Sequence, residues 1–222
     1  MGQLLTTNVA TNLYWFGRYL ERIEAMLIEV QRSFDEIIDV DRDAGKKLYK
    51  KIWIDIDYTD SSDFLKVAIL GDHNANLFDL MSYARENIII SRNQIDTEAF
   101  GAVIELHELF EKASKNSLII DFRFIDKVLS LISEIWGKLT RKQTRNASDY
   151  FISLGKYVEK VDFHLRVDKD KDFALVLMDE IDKIVTRLAP NAKFQPHNVN
   201  EDVNTILNSI NSKIYKIVAK DK

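Results

Sequence analysis

At 222 residues, of which 46% are apolar, the chain is long enough to bury a sizeable core as one domain. It has no cysteine, which excludes disulfides, thiol nucleophiles and thiolate metal sites, and its net charge of -4, spread over interspersed acids and bases, leaves no continuous basic face for a nucleic-acid backbone. The longest apolar run, Phe173 to Met178, falls far short of the ~20 residues that span a bilayer, and Met1-Gly2-Gln3-Leu4-Leu5 has no basic region ahead of an apolar core, so the expected address is the cytoplasm, with no membrane and no nucleic-acid partner.

Seven glycines and two prolines, both prolines in one late segment, favour long helices over strands and turns. Thr7 or Asn8 caps a first long helix that runs to about Val40, and Asp41-Arg42-Asp43 starts a turn. Between Ala44 and Tyr58, Ile52, Ile54 and Ile56 alternate with Trp53, Asp55 and Asp57 in strand fashion, but the flanking segments are helical and the stretch is assigned to a helix. Ser61 or Ser62 caps a short helix to Leu70, Gly71 to Asn74 form a turn, and Leu77, Leu80, Met81, Ala84 and Ile88 mark a helix reaching about Ile95. Asp96 caps Thr97 to Ala113, and Asp121 to Leu139 form a further helix. The next helix starts near Ala147 or Ser148 and ends near Val167; the charged run Asp168 to Asp172 is a solvated turn, Phe173 to Leu188 a helix, Pro190 to Asn200 a loop, and Asp202 to Ala219 a closing helix. The expectation is an all-α, bundle-like single domain of about eight helices over residues 1–222, with motif helices near 8–40 and 147–167 and a loop near 189–201.

A twelve-residue pattern occurs twice, from Leu13 to Glu24 and from Phe151 to Asp162. With Gly17 laid on Gly155, Tyr19, Glu21 and Leu27 recur as Tyr157, Glu159 and Leu165, while Arg18, Arg22 and Glu24 recur as Lys156, Lys160 and Asp162. The apolar frame of the first copy, Leu13, Phe16, Leu20, Ile23, Leu27, Val30, Phe34 and Ile37, steps by three and four as a helix seam does. At about 100° per residue Gly17, Glu21 and Glu24 share one flank of that seam, with Arg18 and Arg22 further round. Glycine within a helix costs roughly 1 kcal/mol against alanine, so its presence in both copies points to close backbone approach or to room for a side chain or ligand. The two copies are expected to pack as a pseudo-symmetric pair.

The first copy, Asn12-Leu13-Tyr14-Trp15 followed by Gly17-Arg18-Tyr19, Glu21-Arg22 and Glu24, resembles the signature of the bacterial alpha-E domain family. Ala84-Arg85-Glu86-Asn87 with Arg92, Glu98 with Phe100, and Arg145, Phe151, Leu154, Gly155 and Arg166 fit further parts of the family pattern. Lys156 and Lys160 stand where the family usually has arginine, Ile28 and Ile89 where arginine is frequent, and Asp149 where an aromatic is usual. Lysine offers a point charge in place of a planar bidentate fork. The resemblance implies a helical accessory protein that works with an ATP-grasp-type ligase and a transglutaminase-like protein in systems proposed to make or modify peptides.

The candidate ligand or partner site comprises Arg18, Glu21, Arg22, Lys156, Glu159 and Lys160 where the motif helices face each other, joined by Arg85, Glu86 and Arg92. Carboxylates among cations orient amines, carboxylates or phosphates, or move protons; they also form ion-pair networks that only set helix register. Three functions follow: a non-catalytic accessory protein binding the ligase or its peptide, an enzyme with Glu21 or Glu159 as general acid or base, and a structural scaffold. Leu70, Ile104, Val161 and Phe194 precede the four histidines by three residues, so the Glu-x-x-His spacing of di-iron bundles is missing. No Gly-rich phosphate loop is present either, and neither metal nor cofactor is expected. Trp15, Trp53, Trp136, Tyr14 and Tyr19 are expected to pack in the core or at its edge.

Overall fold

The computed structural model describes residues 5–141, 145–167, 171–191 and 203–218. Among them are nine α-helices, one 3-10 turn and no strand: α1 (Thr7–Asp39), α2 (Ala44–Lys50), α3 (Ser61–Leu70), α4 (Leu77–Ile90), α5 (Thr97–Ser114), α6 (Phe122–Thr140), α7 (Ala147–Arg166), α8 (Lys171–Leu188) and α9 (Val203–Val218). The fold is all-α, and no helix of the described residues is long and apolar enough to cross a membrane. Residues 168–170 of the charged run, and nearly all of the Pro190 to Asn200 loop, lie outside the described residues.

At 33 residues α1 is the axis of the domain, about 50 Å long at 1.5 Å per residue. It touches α2, α3, α4, α6, α7 and α9, and α7 is its main partner. Its length is licensed by the seam: Leu13, Phe16, Leu20, Ile23, Leu27 and Val30 are fully buried, so burial on several sides supplies what propensity alone does not. The helix starts one residue earlier than the sequence suggests, because the Thr6 hydroxyl accepts from the Val9 amide. At the head of α7, Asn146 and Asp149 cap each other's backbone amides reciprocally. Asp149 therefore has a local structural task.

Two helix assignments are corrected. The helix expected over Ala44 to Tyr58 stops at Lys50. Its end is a Schellman turn in which Trp53 donates its amide to Lys50 and Ile54 donates to Tyr49. Trp53 takes the left-handed conformation that this turn requires, with φ of 59°. Ile52 lies in the turn itself, and residues 54–58 beyond it are neither helix nor strand; Ile52, Ile54 and Ile56 are half-buried against the core while Asp55 and Asp57 are exposed, so the period-2 pattern reports alternating burial of an irregular segment. The helix expected to run to Ile95 ends at Ile90, followed by a 3-10 turn over Arg92–Gln94. The Ser148 hydroxyl, donating to Gln94, ties that turn to the start of α7.

Candidate functional site

α1 and α7 run in the same direction and cross at their motif glycines. A methyl group added at Gly17 would meet the carbonyl of Ile152, and one added at Gly155 the carbonyl of Tyr14, both at under 3.0 Å. Close backbone approach is therefore the reason for both glycines. The approach is what brings the charged residues one turn further on into mutual reach.

Contacts across the crossing are reciprocal. Glu159 of α7 takes Arg18 Nε at 2.7 Å, Arg22 Nε at 2.5 Å and Arg22 Nη2 at 3.0 Å, while Glu21 of α1 lies 3.8 Å from Lys156 Nζ and 3.5 Å from Lys160 Nζ. The two glutamates are comparably buried, at 4% exposure for Glu21 and 3% for Glu159, but their partners differ. Two guanidiniums saturate Glu159 with a bidentate fork and a third bond. Two ammoniums approach Glu21 without closing such a set, and its Oε2 has no hydrogen-bond partner.

The protonation states diverge accordingly. Burial opposes the Glu159 charge, but Arg22 and Arg18 outweigh it and hold the carboxyl below its usual range. Burial pushes the Glu21 carboxyl up to about 8; Lys160 and Lys156 offset this only in part, and Glu24 adds to the rise. Lys156 is itself lowered, first by burial, against the pull of Glu21. A cavity of about 160 Å³ lies against Glu21, with Glu24, Lys160 and His164 in its wall.

Several functional neighbours escaped the sequence reading. Arg18 also binds Asp162 at 3.0 Å and reaches the Tyr14 hydroxyl at 3.5 Å. Asp162 was visible as the second-copy counterpart of Glu24, but its partner was not. Trp136 of α6 donates its indole N–H to Glu24 at 2.8 Å, and Lys156 Nζ lies 3.7 Å from the centre of its ring. This buried indole links α6 to both motif helices, and no pattern in the sequence announces it. Replacing Trp136 with phenylalanine removes a hydrogen bond to a carboxylate and is expected to cost about 1–2 kcal/mol, read as a lower midpoint in urea denaturation.

Arg85, Glu86 and Arg92 do not join the crossing. Arg85 pairs with its neighbour Glu86 at 2.7 Å on α4, away from the apolar edge that packs on α1, and Arg92 is exposed on the 3-10 turn. Tyr14 is buried, but Trp15 is 37% exposed, stacked on Tyr19, which in turn packs against Tyr83. Trp53, expected at the core or its edge, is 72% exposed. Among the described residues no group of three or more histidines and carboxylates is placed to hold a metal ion.

No curated protein and no solved structure matches the chain. A family model does, over residues 5–214, and it describes a predicted alpha-helical domain with a conserved ER motif. Glu21-Arg22, at the centre of the crossing, is a Glu-Arg pair of that kind. With nearly its whole length matched, this chain belongs to the Alpha-E family.

Proposed function

We propose that the chain is a non-catalytic helical accessory or binding protein of the cytoplasm, acting with an ATP-grasp-type ligase system in peptide synthesis or modification, with a transglutaminase-like protein as a further partner. The observation that carries the non-catalytic part is the engagement of Arg18, Arg22 and Glu159 with one another inside the crossing. Groups held in this way fix helix register and present a rigid frame; a carboxylate kept ionised by two guanidiniums is a poor proton carrier at neutral pH. The ligase and its peptide chemistry are supported by the family resemblance. The test is affinity isolation of the tagged chain from its native cells with mass spectrometry of the co-purified proteins. Recovery of an ATP-grasp-type ligase is the expected result, and repeated recovery of the chain alone overturns the reading.

One observation favours a second reading. Glu21, with its carboxyl raised to about 8 beside a cavity and so protonated at neutral pH, has the character of a general acid, as an enzyme of the same pathway would need. Glu21→Gln separates the two: an accessory protein retains its partner and the pathway's turnover, whereas an enzyme keeps its fold and loses turnover.

A further inference from the structure

On the other side of the crossing from Glu21 lies a cavity of about 260 Å³ whose charged wall is Arg22, Glu159, Asp162 and Arg166. Two guanidiniums and two carboxylates face the cavity, and behind them Arg18 also binds both carboxylates. Arg22 uses Nε and Nη2 on Glu159, and Arg166 uses Nε on Asp162. The remaining terminal N–H groups of both arginines have no partner among the described residues, and the two side chains keep 31% and 27% of their surface exposed. Asp162 accepts from Arg18 and Arg166 and retains lone pairs for another donor. A carboxylate meets the open N–H groups of Arg22 and Arg166, and an ammonium meets the remaining lone pairs of Asp162. A dipolar ion meets both signs.

Met26, Ile54 and Phe163 supply an apolar side to the same cavity. Its volume lies below the ~300 Å³ at which pockets for drug-sized ligands begin, which suits a single residue-sized molecule.

Trp53 at the rim is a second, independent observation. The left-handed C′ position it occupies is usually glycine, and its indole is largely in solvent, so little burial offsets the conformation. What the ring does is stack on the Arg166 guanidinium, 4.7 Å from the ring centre. The left-handed backbone is unfavourable for a bulky residue, and an exposed cation–π contact offsets it only weakly, so folding alone gives no reason for the indole. Arg166 itself lines the cavity, along with the two chain neighbours of Trp53, Ile52 and Ile54, so the stacked indole restrains a guanidinium of the cavity wall.

We propose that this cavity binds a free aliphatic α-amino acid, its carboxylate on the open N–H groups of Arg22 and Arg166, its ammonium on Asp162, and its side chain against Met26, Ile54 and Phe163. The site stands independently of the ligase partner. The test titrates the full chain with L-leucine, L-leucinamide and N-acetyl-L-leucine, followed by calorimetry or by the amide resonances of α7. L-leucine binds saturably, and each derivative, lacking one charge, binds at least tenfold more weakly. Trp53→Gly weakens L-leucine binding several-fold while leaving Tm unchanged or higher, a combination that a merely structural tryptophan does not give; Arg166→Lys, which keeps the charge and loses the fork, weakens it further. Absence of L-leucine binding at millimolar concentration overturns the proposal. So does equal binding of either derivative, which would mark a site for a carboxylate or an ammonium alone, and so does L-leucine binding indifferent to both substitutions.

Discussion

Glu159→Gln lowers the stability of the domain at neutral pH by about 3 kcal/mol, whereas the same change at the equivalent motif position, Glu21→Gln, costs less than about 1 kcal/mol. The difference arises from the partners. Removing the Glu159 charge leaves Arg18, which is only 7% exposed, with Asp162 as its one carboxylate partner, and sets it beside an amide that cannot answer the charge of Arg22. For a domain of this size the loss corresponds to roughly 6–12 °C in Tm. At Glu21 burial outweighs the two lysines and the carboxyl is raised to about 8. It is therefore largely neutral at pH 7, and glutamine is a close isostere of a neutral glutamic acid. Equal losses in the two variants would mean that the lysines clamp Glu21 as firmly as the arginines clamp Glu159.

The same asymmetry sets a pH signature. A carboxyl raised in the folded state binds its proton more tightly there than in the unfolded chain, where its value is about 4.5. The stability it contributes is complete below that value and is lost as pH rises through about 8. Denaturation midpoints of the native chain therefore fall between about pH 5 and pH 8 relative to those of Glu21→Gln, which lacks the titrating group. Glu159, lowered in the folded state, acts oppositely: its contribution is present at neutral pH and is lost in acid as pH falls through its depressed value. A native-minus-variant difference that stays flat across this range contradicts the raised Glu21 carboxyl.

Gly17→Ala and Gly155→Ala each destabilise the fold by about 3 kcal/mol, against an intrinsic helix gain of up to about 1 kcal/mol for replacing glycine by alanine. The obstacle in both cases is a carbonyl of the opposing helix, which cannot swing aside as a flexible side chain can. Gly101 and Gly137 also sit within helices but have open space where a Cβ would stand, so alanine there is neutral or stabilising by up to about 1 kcal/mol. Thermal denaturation of the four variants separates the pairs by sign. The crossing explanation fails if all four behave alike.

The sequence made the principal partners legible because the charged pattern and its glycine occur twice on apolar seams, and a seam must bury itself against another. From that, the meeting of Arg18, Glu21 and Arg22 with Lys156, Glu159 and Lys160 follows. What it could not convey were the contacts set by the crossing itself. Trp136 reaches Glu24 and Lys156 because α6 is packed at one particular rotation, and a helical wheel carries no information on how a neighbour is turned. Arg85 and Glu86 were placed at the site by their charge and motif, yet α4 packs on α1 through Leu80, Ala84 and Ile88, which leaves the intervening charges off the crossing. In the segment after Ala44, the alternation of isoleucines was correct evidence of alternating burial that the helical neighbourhood overrode. Trp53 defied expectation because the turn that ends α2 is ordinarily closed by glycine, a preference that this chain breaks.

The Arg18–Glu159 contact joins residues 141 positions apart, and this separation bears on how the molecule comes into being. Closing so long a loop costs roughly 4 kcal/mol in chain entropy, and during synthesis the first helix leaves the ribosome well before its principal partner exists. For that interval its seam, with Arg18 and Glu21 still hydrated, has only α2, α3, α4 and α6 to lean on. Water around those two side chains keeps the waiting helix soluble, and the arrival of α7 replaces that water with charges of its own. Nascent chains stalled ahead of residue 147 are thus expected to hold the helical hairpin of α5 and α6 while leaving one long apolar stripe for chaperones to cover.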